Sequence, residues 1–288
     1  MSSPKVYGDR LHFVSWTEGN QGKIFYYDFD RKIFGKYDLN RKKHSPEDLL
    51  VIGNYILQGD AVVYQDNLKF ELIKQTLKDT FHTKLFADTD VVRFEVANDN
   101  SYLVSGWRDD DLLAFYKKKD LNRQTETYIK VGDEYMDTDY SGIVLDGDFH
   151  ANDSLIVAVP YSTNRIYKFN KNSEYLGKTD LIYNNPGFKF RSDTKGHLYT
   201  DPNNLLPNKD AFLSKDNKIY ILTKETKQNI LSDDCQYFID VYDLNTDMYE
   251  KSFVIDCKKR KPTYICFYRD LLVVLDDNGM AFNSIKAL

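Results

Sequence analysis

The sequence predicts an all-β protein built as a six-bladed β-propeller. An apolar stretch, a tight turn containing Asp and a strongly β-forming run occur together six times along the chain. These turns recur every 39 to 63 residues, close to the length of one propeller blade, at Asp9, Asp60, Asp99, Asp153, Asp216 and Asp270. Aromatic residues form 15% of the chain and hydrophobic residues 42%, enough to fill a β-rich core. We therefore expect a single propeller domain covering residues 1–288.

Each repeat is expected to form a blade of mostly four antiparallel strands. The residues around each Asp turn are rich in β-branched and aromatic types, which predicts hairpins at 5–16, 54–65, 93–107, 148–161, 211–224 and 264–277. A third strand follows each hairpin, and most repeats continue into a fourth. In the last repeat the chain ends soon after the third strand, so we expect three strands there unless an upstream segment supplies another. A short helix is predicted at 45–50, where Ser45 precedes Pro46.

Charge and hydropathy narrow the possible partners. The chain has 39 Lys and Arg residues against 44 Asp and Glu residues, a net charge of −5, which argues against binding of nucleic acid. No run approaches 18 apolar residues and no leader follows Met1, so neither a membrane span nor a signal peptide is visible. The protein is therefore either cytoplasmic or has lost its leader.

Several segments resemble a known group of propellers. Residues 147–170 (GDFHANDSLIVAVPYSTNRIYKFN), 201–212 (DPNNLLPNKDAF) and 239–253 (IDVYDLNTDMYEKSF) resemble the six-bladed TolB-like or NHL-like propellers of Bacteroidota. The resemblance covers nearly the whole chain. It implies a largely uncharacterised binding protein of the cell envelope, periplasmic or at the surface, and it supplies no catalytic motif.

One face of such a propeller carries the loops between strands two and three and those between blades. We expect this face to bind a glycan, a peptide or a protein partner, because long loops and exposed aromatic and guanidinium groups gather there. The candidate ligand-binding residues are Trp16, Trp107, Arg108, His150, Tyr161, Asn164, Arg165, Lys224 and Glu225. Alternatively, Trp16 and Trp107 pack between blades, and Arg108 and Arg165 form surface ion pairs with neighbouring aspartates. His150 is either a channel-lining group or a hydrogen-bonded structural residue, and His197 has the same two interpretations.

One segment resembles half of a calcium loop. Asp137, Asp139, Ser141 and Asp148 occupy alternate positions and the twelfth position, with a glycine at the sixth. The twelfth residue is not Glu, so we expect at most weak calcium binding, and the alternative is a solvated acidic loop. No other cofactor is expected.

An enzyme is the competing class of function. The chain lacks the strings typical of phosphate-binding loops, zincins and α/β-hydrolases. Propeller lactonases hold a metal with scattered Glu, Asn and Asp side chains, which leave no compact motif. The alternative is therefore a metal-dependent hydrolase or lyase of that type.

Two cysteines flank a predicted hairpin near its ends. A turn centred on Thr246 pairs residues whose numbers sum to 492, as those of Cys235 and Cys257 do. Directly opposed residues lie close enough for a disulfide, so we predict this bond if the protein is exported. Cys266 is expected to be a buried free thiol.

Overall fold

Twenty-five β-strands and one short helix form the part of the chain that the structure describes. The structure is a computed structural model. It describes residues 4–14, 22–39, 50–77, 82–98, 100–108, 113–132, 136, 141–182, 189–192, 198–200, 208–224, 237–255, 261–269, 271–276 and 279–284. Of Arg108, 190–192, 198–200 and 279–284 it describes the backbone only. The helix is α1 (Ser141–Val144).

Five antiparallel sheets of four consecutive strands each are the blades of a β-propeller. The first contains β1 (Lys5–Tyr7), β2 (Arg10–Val14), β3 (Lys23–Asp28) and β4 (Ile33–Asp38). The second contains β5 (Ile52–Gln58), β6 (Ala61–Asp66), β7 (Glu71–Thr76) and β8 (His82–Ala87). The third contains β9 (Val91–Asn98), β10 (Ser101–Arg108), β11 (Leu113–Asp120) and β12 (Thr125–Tyr128). The fourth contains β13 (Gly147–Ala151), β14 (Leu155–Pro160), β15 (Arg165–Asn170) and β16 (Tyr175–Asp180). The fifth contains β19 (Asn208–Leu213), β20 (Lys218–Lys224), β21 (Tyr237–Asp243) and β22 (Met248–Ile255).

Five of the six predicted blades are observed as four-stranded sheets. Within the described residues only five sheets have four strands, and the last repeat forms a three-stranded sheet of β23 (Pro262–Tyr268), β24 (Leu271–Asp276) and β25 (Gly279–Ser284). A separate two-stranded sheet, β17 (Phe190–Ser192) and β18 (Leu198–Thr200), lies in the long segment before the fifth blade. The Asp turns locate the hairpins correctly. A hairpin pattern in the sequence does not reveal how many further strands pair with those two. The predicted helix at 45–50 falls mostly outside the described residues.

In the first two blades the residue before the turn aspartate, not the aspartate itself, adopts a left-handed backbone conformation. Gly8 and Gly59 have φ of 58° and 59° and precede Asp9 and Asp60 in two-residue turns. A positive φ at the first turn residue defines the type of hairpin turn for which glycine is preferred. The aspartates therefore mark the turns without providing the positive φ.

A second kind of turn, between the third and fourth strands, recurs in the first, third and fifth blades. An aspartate at the end of the third strand accepts a hydrogen bond from a backbone N–H two or three residues later, in the pairs Asp28 with Arg31, Asp120 with Arg123, and Asp243 with Asn245. A residue with φ between 52° and 58° follows each of these aspartates, at Lys32, Gln124 and Asp247. The same type of hydrogen bond to an aspartate carboxylate thus stabilises three separate turns.

The chain divides into two compact units. The first consists of Met1–Val91, Cys266–Val273 and Phe282–Leu288, and the second of Val92–Ile265 and Val274–Ala281. In the first unit the core contains fully buried Ile24, Tyr55 and Tyr64. The second unit has two clusters, one with Tyr116, Tyr167 and Phe169 and one with Ile166, Ile221 and Tyr242. The inner strands are buried on both faces, as in β15, where the consecutive residues Ile166 and Tyr167 belong to different clusters.

Candidate functional site

Four polar side chains meet near the beginnings of first strands in the second unit. Arg93, on β9, donates from Nε to Oδ1 of Asp148, on β13, at 3.2 Å. Its Nη2 lies 3.4 Å from Oδ1 of Asp146. The hydroxyl of Tyr161, just after β14, donates to Oδ2 of Asp148 at 2.6 Å. We call Arg93, Asp146, Asp148 and Tyr161 the Arg93 cluster.

Because the side chains of the Arg93 cluster are partly buried, their charges interact strongly with each other. Burial opposes the charge of Arg93, but the carboxylates of Asp146 and Asp148 outweigh it and raise the pKa of the guanidinium. Burial raises the pKa of Asp146, and the attraction of Arg93 only partly offsets this effect. Burial and then the charge of Asp148 raise the pKa of Tyr161, which keeps its phenol protonated as a donor. One cation therefore holds two carboxylates in a fixed arrangement.

Neighbouring backbone contacts hold the Tyr161 turn in place. The Asn208 side-chain amide, at the start of β19, donates to the carbonyls of Pro160 at 2.6 Å and Thr163 at 3.1 Å. The backbone N–H of Asn208 donates to the Tyr161 carbonyl at 3.3 Å. The turn of the fourth blade is thus tied to the first strand of the fifth.

Gly147 allows β13 to approach β14 closely beside Asp148. A Cβ atom on Gly147 would lie 2.1 Å from the carbonyl oxygen of Val159. We expect Gly147→Ala to displace this backbone and to lower the free energy of unfolding by about 1 kcal/mol. Urea denaturation measures the effect, with Gly132→Ala as the control because a Cβ at Gly132 meets no atom within 4 Å. Equal stabilities of the two variants would contradict the prediction.

Two lysines lie at the corresponding end of the fifth blade. Lys209 follows Asn208 on β19, and Lys224 ends β20. Burial, and then the positive charge of Lys224, lower the pKa of Lys209. Among the described residues, neither ammonium group has a carboxylate partner within ion-pair distance. The two lysines therefore place positive charge beside the residue that anchors the Tyr161 turn.

Trp107, predicted to bind ligand, lines a small cavity next to the Arg93 cluster. The cavity has a volume of about 10 Å³ and is also lined by Ala114, Gly142 and Asp146. This volume is about that needed by one water molecule. Trp107 is partly buried at the end of β10, opposite Ala114. This position is compatible both with ligand binding by Trp107 and with packing of Trp107 between blades.

Asn164 and Arg165 take part in contacts within their own blade. The Asn164 carbonyl accepts the N–H of Leu181 at 2.7 Å. Arg165 donates from Nε to Asp180 at 3.2 Å, so its ion pair joins neighbouring strands of one sheet. His150, on β13, lies opposite Val157 of β14 and is partly buried.

Two of the four predicted calcium ligands are bonded to protein groups. The Ser141 hydroxyl accepts the N–H of Ala114 at 2.8 Å and donates to the Met136 carbonyl at 3.3 Å. Asp148 belongs to the Arg93 cluster. Asp137 and Asp139 lie outside the described residues, and within those residues no group of three or more His, Cys, Asp or Glu side chains could hold a metal ion. Calcium binding stays a prediction.

Several predicted residues lie outside the part of the chain that the structure describes. They are Trp16, His197, Glu225, Cys235 and Cys257, together with the side chain of Arg108. The register predicted for the cysteine hairpin is confirmed from Tyr237 opposite Ile255 to Val241 opposite Lys251, where the residue numbers sum to 492. Cys266 is a buried free cysteine, as expected. The disulfide itself stays a prediction.

Sequence reasoning missed Arg93, Asp146 and Lys209. Each lies within the first residues of an inner strand or directly before it, where a loop ends and the strand begins. The signal available in the sequence was a polar residue at the start of the first strand in several successive blades. The partners of Arg93 are more than 50 positions away, so no local motif reveals them.

The fold defines the class of the protein as an all-β propeller with four-stranded blades. Several solved structures have the same fold. A member of the DUF4221 family from Bacteroides vulgatus matches with a TM-score of 0.64 and 10% identity, over 98% of this chain and 92% of the other. A protein predicted to be exported, from Bacteroides fragilis, matches with a TM-score of 0.57 and 11% identity, over 94% and 78%. Streptogramin B lyase matches with a TM-score of 0.52 and 12% identity, over 98% and 94%.

These similarities show the fold alone. No family model matches the chain, and no curated protein matches it in sequence. None of the helices in the described residues is both long and apolar enough to cross a membrane.

Proposed function

We propose that the protein is a non-enzymatic binding propeller whose loop-rich face recognises a peptide or protein partner through carboxylate groups. The observation that carries this proposal is the pair Lys209 and Lys224, partly buried with no carboxylate beside them in the described residues. A partly buried ammonium without a counterion is unfavourable, and an anionic partner would remove that penalty. The Arg93 cluster holds the neighbouring turn in place, so the lysines present a preorganised surface.

Features of the chain as a whole complete the proposal. We take the three-stranded sheet of β23, β24 and β25 as the sixth blade, which gives the TolB-like or NHL-like arrangement that the sequence resembles. We place the protein in the cell envelope, and the support is its fold similarity to a Bacteroides protein predicted to be exported. The alternative, a metal-dependent hydrolase or lyase, would use the same fold, as streptogramin B lyase shares it.

A peptide array with acidic, neutral and basic sequences tests the proposal. We expect acidic peptides to bind, and Lys209→Ala and Lys224→Ala each to weaken that binding about tenfold, a loss of about 1.4 kcal/mol. Lys215→Ala is the matched control, because Lys215 is an exposed lysine in the turn between β19 and β20, at the opposite end of the two strands that carry Lys209 and Lys224. Equal binding of acidic and basic peptides, or equal effects of all three variants, would contradict a carboxylate-binding face.

A further inference from the structure

The first unit contains a cavity that the proposed function does not use. Its volume is about 630 Å³, within the range of about 300–1,000 Å³ found for ligand pockets. The hairpin turns of the first two blades border it through Asp9 and Asp60, and the turn after β3 borders it through Asp30 and Arg31. His12 and Tyr37 line it from strands β2 and β4. The cavity therefore combines charged turn residues with aromatic rings.

One wall of this cavity is fixed by hydrogen bonds. Arg10 donates from Nε to Asp28 at 3.2 Å and from Nη1 to the Tyr37 hydroxyl at 2.8 Å. Asp28 also accepts the backbone N–H of Arg31 at 2.9 Å. His12 stacks on Tyr37 with ring centroids 6.1 Å apart. This wall is preorganised, because its polar groups are held by each other rather than by solvent.

Other polar groups at the cavity lack protein partners. His12 is only 2% exposed, and its Nδ1 atom has no hydrogen-bond partner. A buried polar atom of this kind is uncommon in folded proteins and calls for an explanation. Asp60 and the Arg31 guanidinium are exposed, and within the described residues neither forms a hydrogen bond or ion pair through its side chain. The cavity thus presents the exposed Asp60 carboxylate as an acceptor and the exposed Arg31 guanidinium as a donor.

The balance of charge limits the class of ligand. Four aspartates and two arginines line the cavity, and burial, with the nearby Arg10, lowers the pKa of His12 to about 4, which leaves it neutral near pH 7. Arg269 forms ion pairs with two of these aspartates, Asp9 and Asp30, so the cavity keeps a small negative charge and disfavours anions only weakly. Hydroxyl groups both donate and accept hydrogen bonds, and the apolar face of a sugar ring can lie against tyrosines such as Tyr7 and Tyr37.

We propose that this cavity of the first unit binds a neutral oligosaccharide. The carboxylate of Asp60 accepts hydrogen bonds from sugar hydroxyls, and the guanidinium of Arg31 donates to them. Tyr37, held by Arg10, supplies an aromatic surface. This site does not include Lys209 or Lys224, so the oligosaccharide proposal is tested independently of the peptide-binding proposal.

Calorimetric titration of the full chain with maltotriose, cellotriose and chitotriose tests the proposal. We expect at least one of these neutral trisaccharides to bind at concentrations below about 10 mM. Trigalacturonic acid, an anionic trisaccharide, and spermine, a polyamine, are expected to bind at least about tenfold more weakly than that trisaccharide. Failure of every neutral trisaccharide to bind would overturn the proposal, as would tighter binding of either charged probe.

Two single variants then separate hydrogen bonding from simple charge attraction. We expect Asp60→Ala and Arg31→Ala each to weaken binding of the neutral sugar, by about tenfold, because one removes an acceptor and the other a donor. Asp60→Asn keeps an acceptor and should retain most of the binding. Asp153→Ala, in the corresponding hairpin turn of the fourth blade, should change nothing. Opposite effects of Asp60→Ala and Arg31→Ala would show a site selected by charge and would overturn the proposal.

Discussion

Lowering the pH from 6.5 to 4 is expected to remove about 3 kcal/mol of stability through His12 alone. Burial, and then the charge of Arg10, lower the pKa of this histidine in the folded protein to about 4, against its usual 6.5. The unfolded chain therefore binds the proton at a higher pH than the folded chain does. The stabilisation is complete above pH 6.5 and is lost as the pH falls towards 4.

Urea denaturation at a series of pH values measures this loss. His12→Phe keeps a ring beside Tyr37 and removes the titrating group, so the difference between the wild-type and variant curves isolates His12. His82→Phe serves as the control, because His82 is an exposed residue of β8. If the wild-type and His12→Phe curves ran parallel from pH 7 to pH 4, the buried neutral state of His12 would be refuted.

Replacing Arg93 by alanine is expected to lower the free energy of unfolding by about 2 kcal/mol near pH 7. The side chains of Arg93, Asp146 and Asp148 are 25%, 31% and 21% exposed, so the two carboxylates would face each other with limited solvation. Without the arginine, their mutual repulsion raises their pKa values in the folded state above those of the unfolded chain. The loss should therefore be largest at neutral pH and should shrink as the pH falls and the carboxylates become protonated.

A double variant identifies the cause of this loss. Arg93→Ala with Asp148→Asn removes one of the two carboxylates and keeps an acceptor for the Tyr161 hydroxyl. It should be more stable than Arg93→Ala alone, which is a coupling between contacting residues that a double-mutant cycle measures. An equal loss for Arg93→Ala at pH 5 and pH 8 would show that packing, not charge, dominates.

Local pattern was sufficient to predict the hairpins. Runs of β-forming residues on both sides of turns such as Gly8–Asp9 and Gly59–Asp60 locate the two strands, and the two-residue turns set their register. The register of β21 and β22 matches the predicted sum of 492 only beyond an irregularity at Val241/Tyr242, because the pairs next to the turn, such as Asp243 and Met248, sum to 491. The number of four-stranded blades did not follow, because it depends on third and fourth strands that lie beyond the hairpin.

The candidate site was less predictable from the sequence. Asp148 and Tyr161 were both selected, but as a calcium ligand and a ligand-binding aromatic residue, whereas they are hydrogen-bonded to each other. Arg93 lies 55 residues before Asp148 and was not selected. The cavity of the first unit involves Asp9 and Asp60, which the sequence identified only as turn residues. Long-range contacts of this kind arise from the folded arrangement of strands and leave no local spacing.

The repeated turn between third and fourth strands bears on how distant propellers are recognised. In the first, third and fifth blades an aspartate stands four positions before the left-handed residue, at Asp28 and Lys32, Asp120 and Gln124, and Asp243 and Asp247. The turn depends on this one carboxylate and on backbone geometry, so the rest of the blade is free to diverge. The same spacing separates Asp66 from the left-handed Phe70 in the turn between β6 and β7, so it locates turns between neighbouring strands in chains whose identity, as among the solved structures here, is near 10%.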